Sequence, residues 1–217
     1  MFEYRGVKIS WLGHSAFRLG NKKVVYIDPF QIKAATPADI ILITHEHYDH
    51  CNIDDVRKVL KSNSVIVTTA AAQDKLRTVD AQFLLVVPGK SYSIDGVKVE
   101  AVPAYNINKF RSPGVPYHPE KDNKVGFIIT MDGVRVYHAG DTDLIPGLET
   151  NVKNVDIAFV PVSGTYVMTA EEAAKAVNKI NPNIAIPMHY GAIVGNERDA
   201  YKFEKLAKCK VQILKKE

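Results

Sequence analysis

Seven consecutive residues in the first quarter of the chain concentrate the side chain types that bind transition metals. The stretch "THEHYDH" runs from Thr44 to His50 and contains three of the seven histidines of the chain and one aspartate. Imidazole suits zinc, iron, nickel or copper, and carboxylates add affinity for harder ions such as manganese. The alternative is a polar loop in which Asp49 or Asn52 caps a following helix. A random polar loop rarely has this composition, so the spacing favours a catalytic metal site.

Other candidate ligands come at the ends of predicted strands. The continuous apolar run "ADIILITH" predicts a strand that is buried on both faces and ends at His45. Asp141 in "HAGDT" and His189 in "PNIAIPMHYG" each follow another such run. Because loops at strand ends bring side chains from distant segments together, we expect these residues to converge on one site.

Short apolar strands alternate with amphipathic helices along the whole sequence. Asp95–Gly96 and Asp132–Gly133 each separate two alternating segments, and Asp-Gly is the strongest short-range hairpin signal. Thr169 and Glu172 have the spacing of a capping box at the start of a helix. Two rounds of strands followed by helices predict an α/β (α+β) fold. We expect mixed sheets with helices on their outer faces in one domain, residues 1–217.

Composition narrows the compartment and the partners. The formal net charge of +4, from 28 basic and 24 acidic residues, permits nucleic acid as a partner without favouring it. Two cysteines, Cys51 and Cys209, make no disulfide framework, which is typical of a reducing cytoplasm. The amino terminus lacks the pattern of a signal peptide, and no apolar run approaches the roughly 20 residues that span a bilayer. The prediction is a cytoplasmic protein without a membrane partner, and the sequence leaves its oligomeric state open.

The chain resembles the metallo-β-lactamase superfamily, because "THEHYDH" matches its His-x-His-x-Asp-His signature. The resemblance covers nearly the whole chain and is closest to the branch of ascorbate-6-phosphate lactonase-like predicted metal-dependent hydrolases. The other stretches that carry it are "WLGHSAF", "IDPF", "YHAGDTD", "PVSGTYVMTAEEAA" and "IPMHYG". It implies an αββα sandwich of two mixed β-sheets and a binuclear metal site.

The same resemblance implies a role for six residues and a reaction. It implies two divalent ions, with zinc or manganese favoured, and a metal-bound hydroxide that cleaves a small ester, lactone or phosphoester. Asp49 would also act as the catalytic residue that orients the hydroxide and carries its proton. The implied ligands are His45 and His47 at the first ion, Asp49, His50 and His189 at the second, and Asp141 as the bridge.

Three further polar residues are expected near this site. Asp28 in "IDPF" is interpreted as a residue that fixes the histidine loop, the alternative being a turn cap before a proline. His14 in "WLGHS" either contacts substrate or is a structural histidine. His138 shares a strand face with Val134 and Val136, which favours a core or supporting role over metal binding.

One position departs from the family pattern. Most members have a metal-binding histidine after the strand that here reads "VKVEAVPA", and Asn106 aligns with it. The long loop that follows contains His118, between Pro116 and Pro119. If the strands that flank this loop are antiparallel neighbours, both loop ends lie at one sheet edge, and His118 could supply the missing imidazole. Otherwise His118 is an exposed loop histidine, and the first ion binds weakly.

Two other functions remain as alternatives to hydrolysis of a small molecule. The superfamily includes nucleases, which makes RNA or DNA phosphodiesterase activity the first alternative. Nucleic acid is not favoured as a partner, because the sequence lacks the basic and aromatic platform of single-strand binders. The second alternative is a metal-binding protein without turnover, which six intact ligands argue against.

Overall fold

The computed structural model describes residues 1–33 and 35–217, which separate into two compact units. The first unit comprises Met1–Val86 with Leu214–Glu217, and the second comprises Val87–Ile213. Each unit contains one seven-stranded mixed sheet together with helices. The predicted α/β class with two mixed sheets is therefore confirmed. One domain over residues 1–217 stays a prediction.

The sheet of the first unit has its strands in sequence order. They are β1 (Phe2–Tyr4), β2 (Val7–Gly13), β3 (Ala16–Gly20), β4 (Val24–Ile27), β5 (Ile40–Ile43), β6 (Val65–Thr68) and β7 (Gln82–Leu85). Strands β1 to β4 pair antiparallel, and β4 to β7 pair parallel. All four residues of β5 are buried, as the apolar run predicts.

Two short helices complete the first unit, α1 (Ile53–Val59) and α2 (Ala70–Lys75). Val56 and Val59 of α1 and Ala72 of α2 are buried in an apolar cluster that also contains Ile41 of β5. Asn52 caps α1, because its side chain accepts a hydrogen bond from the backbone N–H of Asp55. Of the two caps that the sequence allows, Asn52 fills this position, which leaves Asp49 available for other contacts.

The second unit also has a mixed sheet. Its strands are β8 (Ser91–Ile94), β9 (Val97–Pro103), β10 (Phe110–Ser112), β11 (Val115–Pro116), β12 (Val125–Met131), β13 (Val134–His138), β14 (Ile157–Pro161), β15 (Ile184–Met188) and β16 (Lys210–Val211). The spatial order is β16-β15-β14-β13-β12-β9-β8, while β10 and β11 pair only with each other. Strands β13 to β16 are parallel, so β13, β14 and β15 all end at the same sheet edge.

Helices α3 (Leu148–Asn151), α4 (Ala170–Ile180) and α5 (Glu197–Leu206) belong to the second unit, with a 3-10 turn at Glu120–Asp122. Among residues 1–33 and 35–217, no helix has the length and apolar character that a membrane crossing needs.

The local signals in the sequence of the second unit are confirmed. Asp95–Gly96 joins β8 to β9 and Asp132–Gly133 joins β12 to β13, and all four residues have positive φ. Thr169 and Glu172 form the capping box of α4. Strands β9 and β12 are antiparallel neighbours, so the segment between them starts and returns at one sheet edge, as expected.

Gly126 in β12 allows a close approach to the chain that leaves β13. A Cβ atom at this position would lie 2.7 Å from the carbonyl oxygens of both His138 and Ala139. Both are backbone atoms, so the strand itself must shift. We expect Gly126→Ala to lower the free energy of unfolding by about 1–3 kcal/mol, the usual cost of overpacking.

Urea denaturation measures this effect, with Gly20→Ala in β3 as the control. A Cβ at Gly20 meets no described atom within 4 Å, so the control lacks the clash. Equal urea midpoints for the two variants would show that the approach at Gly126 does not constrain stability.

Candidate metal centre

The histidine loop of the first unit begins directly after β5. The backbone N–H groups of His50 and Cys51 both donate to the carbonyl of His47, at 3.0 and 2.7 Å, and this closes the loop into a tight turn. The ring centroids of His45 and His47 lie 4.6 Å apart, and those of His45 and His50 lie 4.2 Å apart. The structure therefore gathers the three imidazoles of "THEHYDH" into one cluster.

Asp28 is a buried hydrogen-bond acceptor for this loop. Its carboxylate is fully buried and accepts from the backbone N–H of Thr44 at 2.8 Å and from the Thr44 hydroxyl at 2.7 Å. The third contact of the carboxylate is His50 Nδ1, at 2.7 Å. A carboxylate can only accept, so the His50 proton lies on Nδ1 and Nε2 carries the lone pair in the neutral ring. This is the contact expected of a residue that fixes the histidine loop.

Thr44 fixes the position of the proton on the His45 ring in a similar way. Its hydroxyl hydrogen is directed to Asp28, so its oxygen accepts from His45 Nδ1 at 3.0 Å. His45 Nε2 then carries a lone pair and lies 3.1 Å from His47 Nδ1. Ligand nitrogens of one tetrahedral zinc ion are about 3.3 Å apart, so this pair fits a shared ion. Thr44 received no role from the sequence, although its position directly before the first histidine was available as a signal.

His14 contacts the acidic member of the motif. It follows β2 with a positive φ of 51°, it is buried, and its Nε2 lies 2.9 Å from Asp49 Oδ2. Asp49 Oδ2 in turn lies 3.7 Å from His50 Nε2. The structure therefore brings His14 next to two predicted ligands of the second ion. The sequence had left the role of His14 open between substrate contact and structure.

In the second unit, Asp141 lies between two imidazoles. It comes three residues after β13 and is buried. Its Oδ2 lies 3.3 Å from His189 Nε2 and 3.4 Å from His118 Nε2. The opposite nitrogen of His189, Nδ1, is 3.0 Å from the Ser163 hydroxyl. One carboxylate oxygen of Asp141 therefore lies close to two imidazoles. Ser163 was quoted in a family motif but received no role from the sequence.

Asn106 and His118 are joined by three hydrogen bonds. The Asn106 Oδ1 accepts from the backbone N–H of His118 at 2.9 Å and from His118 Nδ1 at 2.8 Å, and the backbone N–H of Asn106 donates to the His118 carbonyl at 2.8 Å. The His118 side chain is only 1% exposed. The alternative of an exposed loop histidine is therefore wrong, because the His118 imidazole is buried and hydrogen-bonded to Asn106.

The surroundings of His138 and Cys51 indicate structural roles for both residues. His138 is buried at the end of β13, where its Nδ1 accepts from the backbone N–H of Gly140 at 3.2 Å. This contact shapes the turn that leads to Asp141, in agreement with the expected core or supporting role. Burial raises the pKa of the Cys51 thiol to about 12, so this cysteine is a protonated small core residue.

Two mixed sheets with histidines and aspartates at their strand ends define a protein of the metallo-β-lactamase class. Residues 8–189 match the family model of the Beta-lactamase superfamily domain. The chain therefore belongs to this superfamily, as the sequence predicted.

Relatives and solved structures agree with this assignment over nearly the full length. A protein of Methanoculleus marisnigri is 32% identical over 203 residues, which cover 92% of this chain and 88% of the relative. A protein of Thermococcus onnurineus is 33% identical over 222 residues, covering 96% and 95%. Both are named UPF0173 metal-dependent hydrolase.

A crystal structure from Parabacteroides distasonis, of a protein described as a candidate metal-dependent hydrolase, has 34% identity and a TM-score of 0.80. The match covers 95% of this chain and 92% of that chain. Igni18, a metallo hydrolase from Ignicoccus hospitalis, has a TM-score of 0.76 with coverage of 96% and 95%, and at 24% identity it shows a shared fold alone.

Proposed function

We propose that this chain, a metal-dependent hydrolase of the superfamily, cleaves a small ester, lactone or phosphoester with two divalent cations. The hydrolase class follows from the family and from relatives named metal-dependent hydrolase. The choice of substrate class, the number of ions and the preference for zinc or manganese are parts of the proposal. Imidazole and carboxylate donors suit both metals.

The observation that carries the proposal is the close approach of potential metal-binding atoms within each unit. His45 Nε2 faces His47 Nδ1 at 3.1 Å, and the neighbouring Thr44 holds the His45 proton on the far side of the ring. In the second unit an Asp141 oxygen faces His189 Nε2 at 3.3 Å. Ligand atoms of one tetrahedral ion are about 3.3 Å apart, so both separations leave the atoms placed to share a divalent cation.

The ligand assignment follows the motif resemblance. In this proposal the six matched residues divide between two ions. They are His45 and His47 for the first, Asp49, His50 and His189 for the second, and Asp141 as the bridge.

The chain's own side chains would orient the reaction. When bound, the cations polarise the substrate and make water acidic enough to ionise near neutral pH. Asp49 would accept the proton of the attacking water and return it to the leaving group. His14, 2.9 Å from Asp49 Oδ2, would hold that carboxylate in place. Asp28 would keep the proton of His50 on Nδ1, so that Nε2 stays available as a donor to the metal.

The test is a panel of lactones, phosphodiesters, phosphomonoesters and thioesters, assayed with metal-loaded protein. We expect turnover of at least one member that stops when a chelator removes the metal and returns when zinc or manganese is restored. A metal-loaded, folded protein that turns over none of them would instead favour the alternative of metal binding without turnover.

Binding of a random oligonucleotide tests the phosphodiesterase alternative. Lys109 belongs to the basic segment after Asn106, but its ammonium group contacts Glu172 at 2.8 Å and is mostly buried, so it is not presented to a phosphate backbone. We therefore expect no salt-dependent binding of a random oligonucleotide at low salt. Binding that weakens steeply with salt would move the proposal toward a nucleic acid substrate.

A further inference from the structure

We propose that His118 is a metal ligand through Nε2, and that Asn106 has become the residue that positions it. This inference rests on the proposed function, because it concerns the same metal centre. It assigns a ligand at the one place where the chain departs from the family pattern, and it assigns a different task to the residue that stands there.

Hydrogen bonds occupy the atoms of the Asn106 amide that could otherwise bind a metal. Its Nδ2 donates to the carbonyl of Tyr166 at 2.9 Å, and its Oδ1 accepts from two donors of His118. An amide oxygen has two lone pairs, and both are therefore in use. Because the amide has a carbonyl acceptor on one side and a backbone donor on the other, its orientation is also fixed. Asn106 is thus a structural partner of His118 and not a ligand itself.

The same contacts fix the proton of His118. Since Oδ1 of Asn106 can only accept, His118 Nδ1 is the donor, and Nε2 of the neutral ring carries the lone pair. Nε2 faces Asp141 Oδ2 at 3.4 Å, and His189 Nε2 lies 3.3 Å from the same oxygen. His118 therefore lies at the same distance range from Asp141 Oδ2 as His189, one of the residues matched by the family motif.

The segment that carries His118 is held by contacts to protein groups alone. The two backbone N–H groups that follow Asn106 donate to Asp143 Oδ2 at 2.7 and 2.9 Å. Lys109 contacts Glu172 at 2.8 Å and Asp143 at 3.5 Å. Burial raises the pKa of Glu172, but hydrogen bonds from Lys109 and Thr169 outweigh it and hold the pKa below its usual range. With the segment ordered in advance, metal binding loses less conformational entropy at His118.

Metal content and zinc titration of the purified full chain test this inference. We expect His118→Ala to lower the content from about two ions per chain toward one, two being the number in binuclear hydrolases. We expect Asn106→Leu, which removes both acceptor contacts, to weaken binding of one ion by about 10–100-fold, the usual effect of a lost orienting partner. Asn106→Asp retains the acceptor for His118 but loses the donor to the Tyr166 carbonyl, so it should keep more of the metal affinity than Asn106→Leu.

Asn108→Ala is the matched control in the same loop. It removes the bond from Asn108 to Glu172, at 2.7 Å, and leaves the Asn106 contacts to His118 intact. Parent-like metal binding by this variant, beside a loss in Asn106→Leu, separates orientation of His118 from general loosening of the loop. The absorption spectrum of the cobalt-loaded protein adds a direct reading of the ligand set. Its intensity should change in His118→Ala and stay unchanged in Asn108→Ala.

Two results distinguish this inference from the proposed function. If His118→Ala binds metal like the parent while Asp141→Ala loses it, His118 is not a ligand and the metal centre stands. If Asp141→Ala retains both ions, the proposed centre itself is wrong. Circular dichroism checks that each variant is folded. Should His118→Ala fail to fold, His118→Gln keeps a polar side chain of similar length, and parent-like binding by it would overturn the assignment.

Discussion

Asp141→Ala is expected to abolish detectable hydrolysis and to reduce bound metal to a trace. The reason is the position of one oxygen, Asp141 Oδ2, which lies 3.3 Å from His189 Nε2 and 3.4 Å from His118 Nε2. Removing the carboxylate takes away the oxygen that lies close to both imidazoles. It also removes a negative charge from a buried site that would hold four positive charges in two divalent ions.

Thermal unfolding with and without metal gives an independent reading of the same change. Metal that binds only the folded protein stabilises it, by about 2.7 kcal/mol when the free ion is at 100 times its Kd. We expect zinc to raise the melting temperature of the parent and to leave that of Asp141→Ala nearly unchanged. The comparison uses the shift that zinc produces within each protein relative to its own chelator-treated sample, so that any effect of the substitution on the metal-free fold is subtracted.

Asp132→Asn is the control for the loss of one aspartate. Asp132 lies in the turn between β12 and β13 with a φ of 49°, a conformation that asparagine also adopts readily. Its metal content, metal-dependent stabilisation and activity should match those of the parent. The proposal is contradicted if Asp141→Ala keeps its metal and its activity under conditions in which this control behaves normally.

The strands and turns that carry the candidate ligands could be predicted from sequence because local patterns encode them. The apolar run before His45 indicated a buried strand, and the Asp-Gly pairs indicated hairpins with positive φ at both turn residues. These signals depend on residues that are neighbours in the chain. They place His45 and Asp141 at strand ends, but they do not show which side chains contact each other there.

Contacts over longer sequence distances could not be predicted in this way. The sequence suggested that His118 could fill the vacant position at Asn106, but their contact depends on the path of the eleven residues between them. That path is set by β10, β11 and the backbone bonds to Asp143, and no periodic pattern marks it. His14 and Ser163 were missed or left open for the same reason. Each makes a contact at the candidate site with a residue more than 25 positions away.

Asp28→Ala is expected to destabilise the folded protein even without metal. Asp28 is fully buried and accepts from the Thr44 N–H, the Thr44 hydroxyl and His50 Nδ1. A buried donor left without an acceptor costs about 1–3 kcal/mol, so the loss of three acceptor contacts should lower the free energy of unfolding by about 3 kcal/mol or more. Urea denaturation in the presence of a chelator measures this cost separately from any effect of bound ions.

The same variant should bind metal more weakly, which distinguishes a role in the site from a role in the core. Without Asp28, the proton of His50 can move to Nε2, and an imidazole protonated there cannot donate that nitrogen to an ion. We expect about a 10–100-fold loss of zinc affinity, the range for lost partners of metal-binding histidines.

Asp28→Asn provides the sharper comparison. Asparagine tolerates the φ of 45° at this position and keeps the shape of the side chain, so the backbone should stay in place. However, the amide has one acceptor oxygen and one donor nitrogen where three donors converge, so at least one of them loses its partner. If the amide nitrogen faces His50, the ring must present Nδ1 as an acceptor and carry its proton on Nε2. Asp28→Asn should therefore lose less stability than Asp28→Ala but a comparable part of its zinc affinity. A variant that loses stability while its folded form binds zinc like the parent would show that Asp28 supports the core alone.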